Sequence, residues 1–170
     1  MKRILLALLA ATICMQANAL DFKGVELDKP ASEESLRSVG IDTSTCHKVD
    51  GGTTICKGKT TISDIPIDPL LAEIAPTGEV RHFAAHFGSV FFETLEKVAG
   101  EKWGHSKSRK EYPVTYNGLQ TIANREDWEF ADDSHVTLEK STTGLTSGVM
   151  KIDGPWEYKA LKALVPKDSL

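Results

Sequence analysis

The chain has 170 residues, a formal charge of −4, 41% hydrophobic residues and 26% charged ones. That length and apolar fraction suit one domain with a core of its own, and the acidic balance leaves no electrostatic footprint for nucleic acid. After the first twenty residues nothing approaches the run of about 20 apolar residues that a bilayer core requires, so no transmembrane anchor is expected.

Residues 1–19 read as a cleavable secretory signal peptide. Lys2 and Arg3 form a positive start, residues 4–13 are apolar, and Ala17-Asn18-Ala19 offers small residues for cleavage. Cys14 raises the alternative of a lipidated cysteine, but Ala11, Thr12 and Ile13 before it fit such a site badly. Cleavage near Leu20 takes the formal charge from −4 to −6 through loss of Lys2 and Arg3. Residues 20–170 are then expected to form a single domain in the periplasm or outside the cell.

A short helix is predicted over 33–39, with Ser32 as its cap, Glu33 and Glu34 in its first turn, and Gly40 after its end. Cys46 and Cys56 follow, the even pair left after cleavage, and in an oxidising compartment they are expected to bridge. A three-residue loop at Asp50-Gly51-Gly52 places them opposite each other on a hairpin, with Gly52 in a left-handed conformation. Strand character continues over 59–62 and in strands over 70–75 and 79–87, which Pro76-Thr77-Gly78 separates as a turn.

A longer helix is predicted over 90–103, capped by Ser89 and stopped by Gly104, with Phe91, Leu95, Val98 and Lys102 on one face. Short strands follow over 112–116, 128–130, 136–138 and 149–152, with Asn117-Gly118 and Asp132-Asp133 as turns. The glycine-rich stretch 143–148 reads as a polar loop. A last helix is predicted over 155–165, Pro155 in its first turn and Trp156, Ala160 and Leu164 on one face.

This order argues against a parallel doubly wound sheet. The expected fold class is α+β: an antiparallel sheet built from two helix-then-strands halves, helices packed on one face, and one disulfide-pinned hairpin. In that order of elements, Ser32 to Gly40 with the Cys46–Cys56 hairpin and Ser89 to Gly104 with the strands from Trp128 to Ile152, the chain resembles small exported bacterial proteins of the beta-lactamase-inhibitor-protein-like and BamE-like type. The inhibitor of that family carries a disulfide in each half, whereas the second half here has no cysteine. The resemblance implies a protein-binding sheet surface without catalysis, and it transfers no functional residue.

No nucleophile elbow, zincin motif, phosphate loop or dinucleotide fingerprint occurs, and no cofactor is expected. His82 and His86 share a face and are weak metal candidates with no third ligand evident nearby. Glu126, Asp127, Glu129, Asp132 and Asp133 cluster around Trp128, which a charged hairpin explains as well as a hydrolase does. The basic segment holding Lys102, Trp103, His105, Lys107, Arg109 and Lys110 is the candidate binding surface.

The expected function is an exported protein-binding module (an inhibitor, immunity or envelope-accessory protein) that occludes a protein partner. An exported hydrolase or metal-dependent enzyme, and an envelope component binding lipid or peptidoglycan, are the alternatives.

Overall fold

The computed structural model describes residues 20–140 and 146–164; the signal-peptide reading and residues 143–145 of the polar loop lie outside them, while 147–148 begin β10. The expected architecture is corrected by the amount and placement of strand. The described residues are 55% strand and 23% helix, so helices are additions to a sheet and not the organisers of two halves. A two-stranded hairpin, β1 (Asp21–Phe22) and β2 (Val25–Glu26), precedes the six-residue helix α1 (Glu33–Ser38). The main sheet comprises β3 (Ile41–Lys48), β4 (Thr54–Ile62), β5 (Ile65–Ile74), β6 (Val80–Gly88), β7 (Ser108–Tyr116), β8 (Leu119–Glu129), β9 (His135–Lys140) and β10 (Ser147–Asp153). These eight strands are antiparallel throughout, in the order β3-β4-β5-β6-β10-β9-β8-β7. Helices α2 (Phe92–Trp103) and α3 (Pro155–Leu164) complete the fold.

The helices do not share one face. In β6, Phe83, Ala85 and Phe87 belong to the core cluster, which also contains Phe92, Leu95 and Ala99 of α2. His82, Ala84 and His86 point to the other side, because successive strand residues alternate. On that other side α3 docks, with Tyr158 stacked on His135 of β9 at 4.3 Å between ring centroids.

Local chemistry explains several boundaries. Ser32 caps α1 by accepting the Ser35 amide, and Gly40 leaves the helix at φ 98°. Gly40 and Gly58 pass backbone against backbone: a Cβ added at Gly58 would lie 1.9 Å from the Gly40 carbonyl oxygen. Gly58→Ala is therefore expected to destabilise the protein by about 2 kcal/mol through forced separation of β3 and β4, read as a lowered urea midpoint.

At its N-terminus α2 departs from expectation. A 3₁₀ turn, Ser89–Phe91, leads into it, and no side chain caps the helix at Phe91. The buried stripe is Phe92, Leu95 and Ala99, with Leu95 shared with the predicted face, while Val90 is 77% exposed. Trp156 of α3 likewise is 55% exposed and lies under the Arg81 guanidinium, 4.2 Å from its ring centroid.

Cys46 and Cys56 form the expected disulfide, with Cα atoms 4.1 Å apart. The loop between them is the predicted one: Val49 and Thr53 close it, and Gly51 and Gly52 adopt φ of 78° and 80°. Reduction, or Cys46→Ser with Cys56→Ser, is expected to cost about 3 kcal/mol from the released loop; denaturation with and without reductant measures it.

Candidate functional site

The sheet face away from α2 carries a charged network that crosses four strands. β8 contributes Arg125 and Asp127, β9 His135, Thr137 and Glu139, β10 Lys151 and Asp153, and β6 His82. Cross-strand register sets them side by side: Asp127 faces Thr137, Arg125 faces Glu139, His135 faces Asp153, and Asp153 faces His82.

Asp127 is the hub. Its carboxylate accepts from the Arg125 guanidinium at 2.8 Å, Ser108 Oγ at 2.9 Å and Thr137 Oγ1 at 3.1 Å, and lies 3.2 Å from His135 Nε2. His135 Nδ1 meets Thr137 Oγ1 at 3.2 Å and lies 3.9 Å from Asp153. Asp153 also bonds His82 Nδ1. Arg125 continues to Glu139 at 3.0 Å, and Lys151 reaches the same carboxylate at 3.3 Å. Tyr158 covers His135 and donates its hydroxyl to Glu129 at 2.7 Å.

Burial sharpens the electrostatics. Desolvation alone would lower the His135 pKa, but Asp127 and Asp153 outweigh it and hold it above the ordinary histidine value. Burial would also raise the two carboxyls; the hydrogen bonds and charges facing them win, pulling Asp127 far below the usual range and Asp153 to about 2. Both His135 ring nitrogens are engaged, Nε2 toward Asp127 and Nδ1 toward Thr137 and Asp153. His135 is thus a cross-strand brace, and the network ties β8, β9, β10 and β6 together.

The pH dependence follows from these directions. The His135 contribution is complete below its unfolded pKa of about 6.5 and is lost as pH rises through its higher folded value. The aspartate contributions are complete above about 3.9 and are lost as pH falls through their depressed folded values, near 2 for Asp153. Thermal midpoints are expected to plateau between these limits. In His135→Gln the alkaline decline should shrink while the acid decline persists.

The predicted basic segment is dispersed. Lys102 lies 3.6 Å from Asp21 and 5.4 Å from the Trp103 ring centroid. Trp103 is partly buried against Trp128 and Phe130. On the α2 side, Arg109 bonds Glu96 at 2.7 Å and Glu126 at 3.2 Å. His105 lines the cleft there, of about 480 Å³, together with Glu96, Glu126 and Trp128. On the network side, Lys107 pairs with Glu129 and Lys110 lines the hollow beside Tyr158. Strand alternation splits this segment between two faces, and carboxylates meet three of its cations.

The acidic cluster divides in the same way. Glu126 turns toward α2, where burial first and the neighbouring Glu96 second raise its pKa, while Asp127 turns to the network. His82 and His86 share a face as expected, with His82 committed to Asp153. Burial, then Lys151 and His82, lowers the His86 pKa. Among the described residues, no group of three or more His, Cys, Asp or Glu is arranged to hold a metal ion.

Beyond the network, β7 and β8 run on together as a hairpin. β7 and β8 pair along their whole lengths, but β8 pairs with β9 only from Asn124 to Glu129. The part from Tyr112 to Ala123 lies past the described β8–β9 pairing, with Ala123 fully buried. Its turn is Asn117-Gly118, at φ 48° and 81°, the two-residue form that matches strand twist. Tyr116, Leu119 and Ile122 are 45%, 59% and 57% exposed. Tyr116 lies opposite Leu119, and Ile122 lies opposite the exposed Pro113 on the other face. The tip therefore presents apolar side chains on both faces. The sequence marks the Asn117-Gly118 turn, but the exposed apolar trio of Tyr116, Leu119 and Ile122 around it was not singled out.

No family model matches the chain, and no curated protein or solved structure matches it either. No helix among the described residues is long and apolar enough to cross a membrane.

Proposed function

We propose that this chain is an exported protein-binding module, of inhibitor, immunity or envelope-accessory type, that occludes a protein partner with the β7–β8 hairpin tip. The observation that carries this reading is the exposure of Tyr116, Leu119 and Ile122 on a hairpin braced at its base by the Asp127 network. Clustered exposed apolar side chains mark interaction surfaces, and a rigid base limits the ordering cost of binding. Pro113 and the charges of Arg109, Lys110 and Glu111 on the outer strand oppose simple edge-strand addition, so side chains at the tip make the contact. The Cys46–Cys56 disulfide is compatible with an oxidising location, periplasmic or extracellular.

Affinity capture from an envelope extract tests the reading, using the chain from Leu20 onward and a variant carrying Tyr116→Ser, Leu119→Ser and Ile122→Thr as parallel baits. One stoichiometric protein retained by the first bait and missing from the second is expected. Identical recoveries on the two baits, or no stoichiometric protein on either, would count against it.

A hydrolase is the second reading, favoured by one observation: Glu126, a buried carboxyl with a raised pKa, lines the α2 cleft with Glu96 and Trp128. Glycan turnover abolished by Glu126→Gln in a chain of unchanged stability would support it over occlusion.

A further inference from the structure

Beside the C-terminal half of α2, a pocket of about 220 Å³ opens into the core. Phe22, Ile62, Val98, Ala99, Trp103 and Met150 form its walls. Phe22, Ala99 and Met150 are 4%, 1% and 2% exposed, so the floor of the pocket is the core itself. Two tight turns frame the mouth: Lys23-Gly24 between β1 and β2, and Ser63-Asp64 between β4 and β5, all four residues at positive φ.

Cations stand on this rim. Lys23 Nζ is held by Thr60 Oγ1 at 2.8 Å, and Lys102 Nζ lies 3.6 Å from the exposed Asp21 carboxylate, a loose pair that an incoming anion can share. Both lysines line the pocket, with Thr61 and Ser63 beside them. Inside, hydrocarbon walls offer water few of the two to four polar partners it needs, so the space favours an apolar guest. A cavity of about 150 Å³ takes one benzene ring; in proportion, this one holds about nine carbon atoms.

We propose that the pocket binds a medium-chain carboxylate, an aliphatic chain of about nine carbons in the slot with its carboxylate between Lys23 and Lys102. The walls select chain length, and the two ammonium groups select an anion over a neutral head group. The pocket shares no residue with the hairpin tip, so the proposal stands apart from the protein-binding reading.

Calorimetric titration of the purified chain with nonanoate, 1-nonanol, acetate and hexadecanoate tests it. Nonanoate is expected to bind saturably and at least tenfold more tightly than each of the others. Lys23→Glu with Lys102→Glu should weaken nonanoate at least tenfold and leave nonanol unchanged. Val98→Trp, at a half-buried wall position, should abolish both while the near-ultraviolet signature of Trp128 packing persists. Absence of saturable nonanoate binding, equal affinity for nonanol, or full binding by Val98→Trp would overturn the proposal.

Discussion

Replacing Asp127 with alanine is expected to lower stability by about 3–5 kcal/mol, the cost of deleting one member of a buried charged set. The Asp127 carboxylate receives Arg125, Ser108 and Thr137 and faces His135, and its side chain is only 12% exposed. Without it, Arg125 keeps Glu139, but His135 loses its Nε2 partner and the largest influence raising its pKa. His135 should then titrate lower, and its brace under Tyr158 weakens. Asp127→Asn keeps the shape and some acceptor capacity, so it should cost less, about 1–3 kcal/mol. Urea denaturation of the two variants beside the parent measures both. An Asp127→Ala cost under 1 kcal/mol would mean the network is solvent-screened and does not brace the face.

The second large effect is on binding. Tyr116→Ser, Leu119→Ser and Ile122→Thr together are expected to weaken the captured partner at least a hundredfold, about 2.7 kcal/mol or more. A few well-buried apolar anchors usually dominate an interface, and an exposed aliphatic side chain regains about 1.5–3 kcal/mol when fully covered. Because these side chains are 45–59% exposed in the free chain, the same variant should retain the parent's stability within about 0.5 kcal/mol. Loss of affinity without loss of stability distinguishes an interface from a structural element.

Local punctuation in the sequence was informative. Ser32 caps α1, the Asp50-Gly51-Gly52 loop sets Cys46 opposite Cys56, Pro76-Thr77-Gly78 turns β5 into β6, and Asn117-Gly118 turns β7 into β8. Each depends on backbone chemistry within a few residues. The strand expected over 79–87 matches β6, but the lengths of β5 and β8 were not legible, and neither was the polar face. β8 extends over 11 residues where alternation marked only its end, because Arg125 and Asp127 face the network while Glu126 and Trp128 face α2, and all four find partners. β9 looks half-exposed as HVTLEK, yet His135, Thr137 and Glu139 are 4%, 3% and 6% exposed. Their partners on β8 and β10 are distant in sequence, and no local pattern announces them. Complementary charge alternation on β8, β9 and β10 was the available signal, but it acquires meaning only once the register is known.

The basic segment is divided between two faces for the same reason. Arg109 and Lys110 are neighbours in sequence, and on β7 neighbours face opposite ways. A run of positive charge in a strand makes two dilute faces, whereas on a helix its i and i+4 members would have formed a patch.

The proposed mode of recognition places partner contact on the hairpin tip and not on the basic segment. Titration of the captured partner against three forms of the chain tests it most directly: the parent, the triple tip variant, and Lys107→Glu with Lys110→Glu. The expected result is at least a hundredfold loss for the tip variant and less than a tenfold, salt-sensitive loss for the charge variant. The reverse order, with affinity held by the tip variant and lost with the lysines, would contradict it.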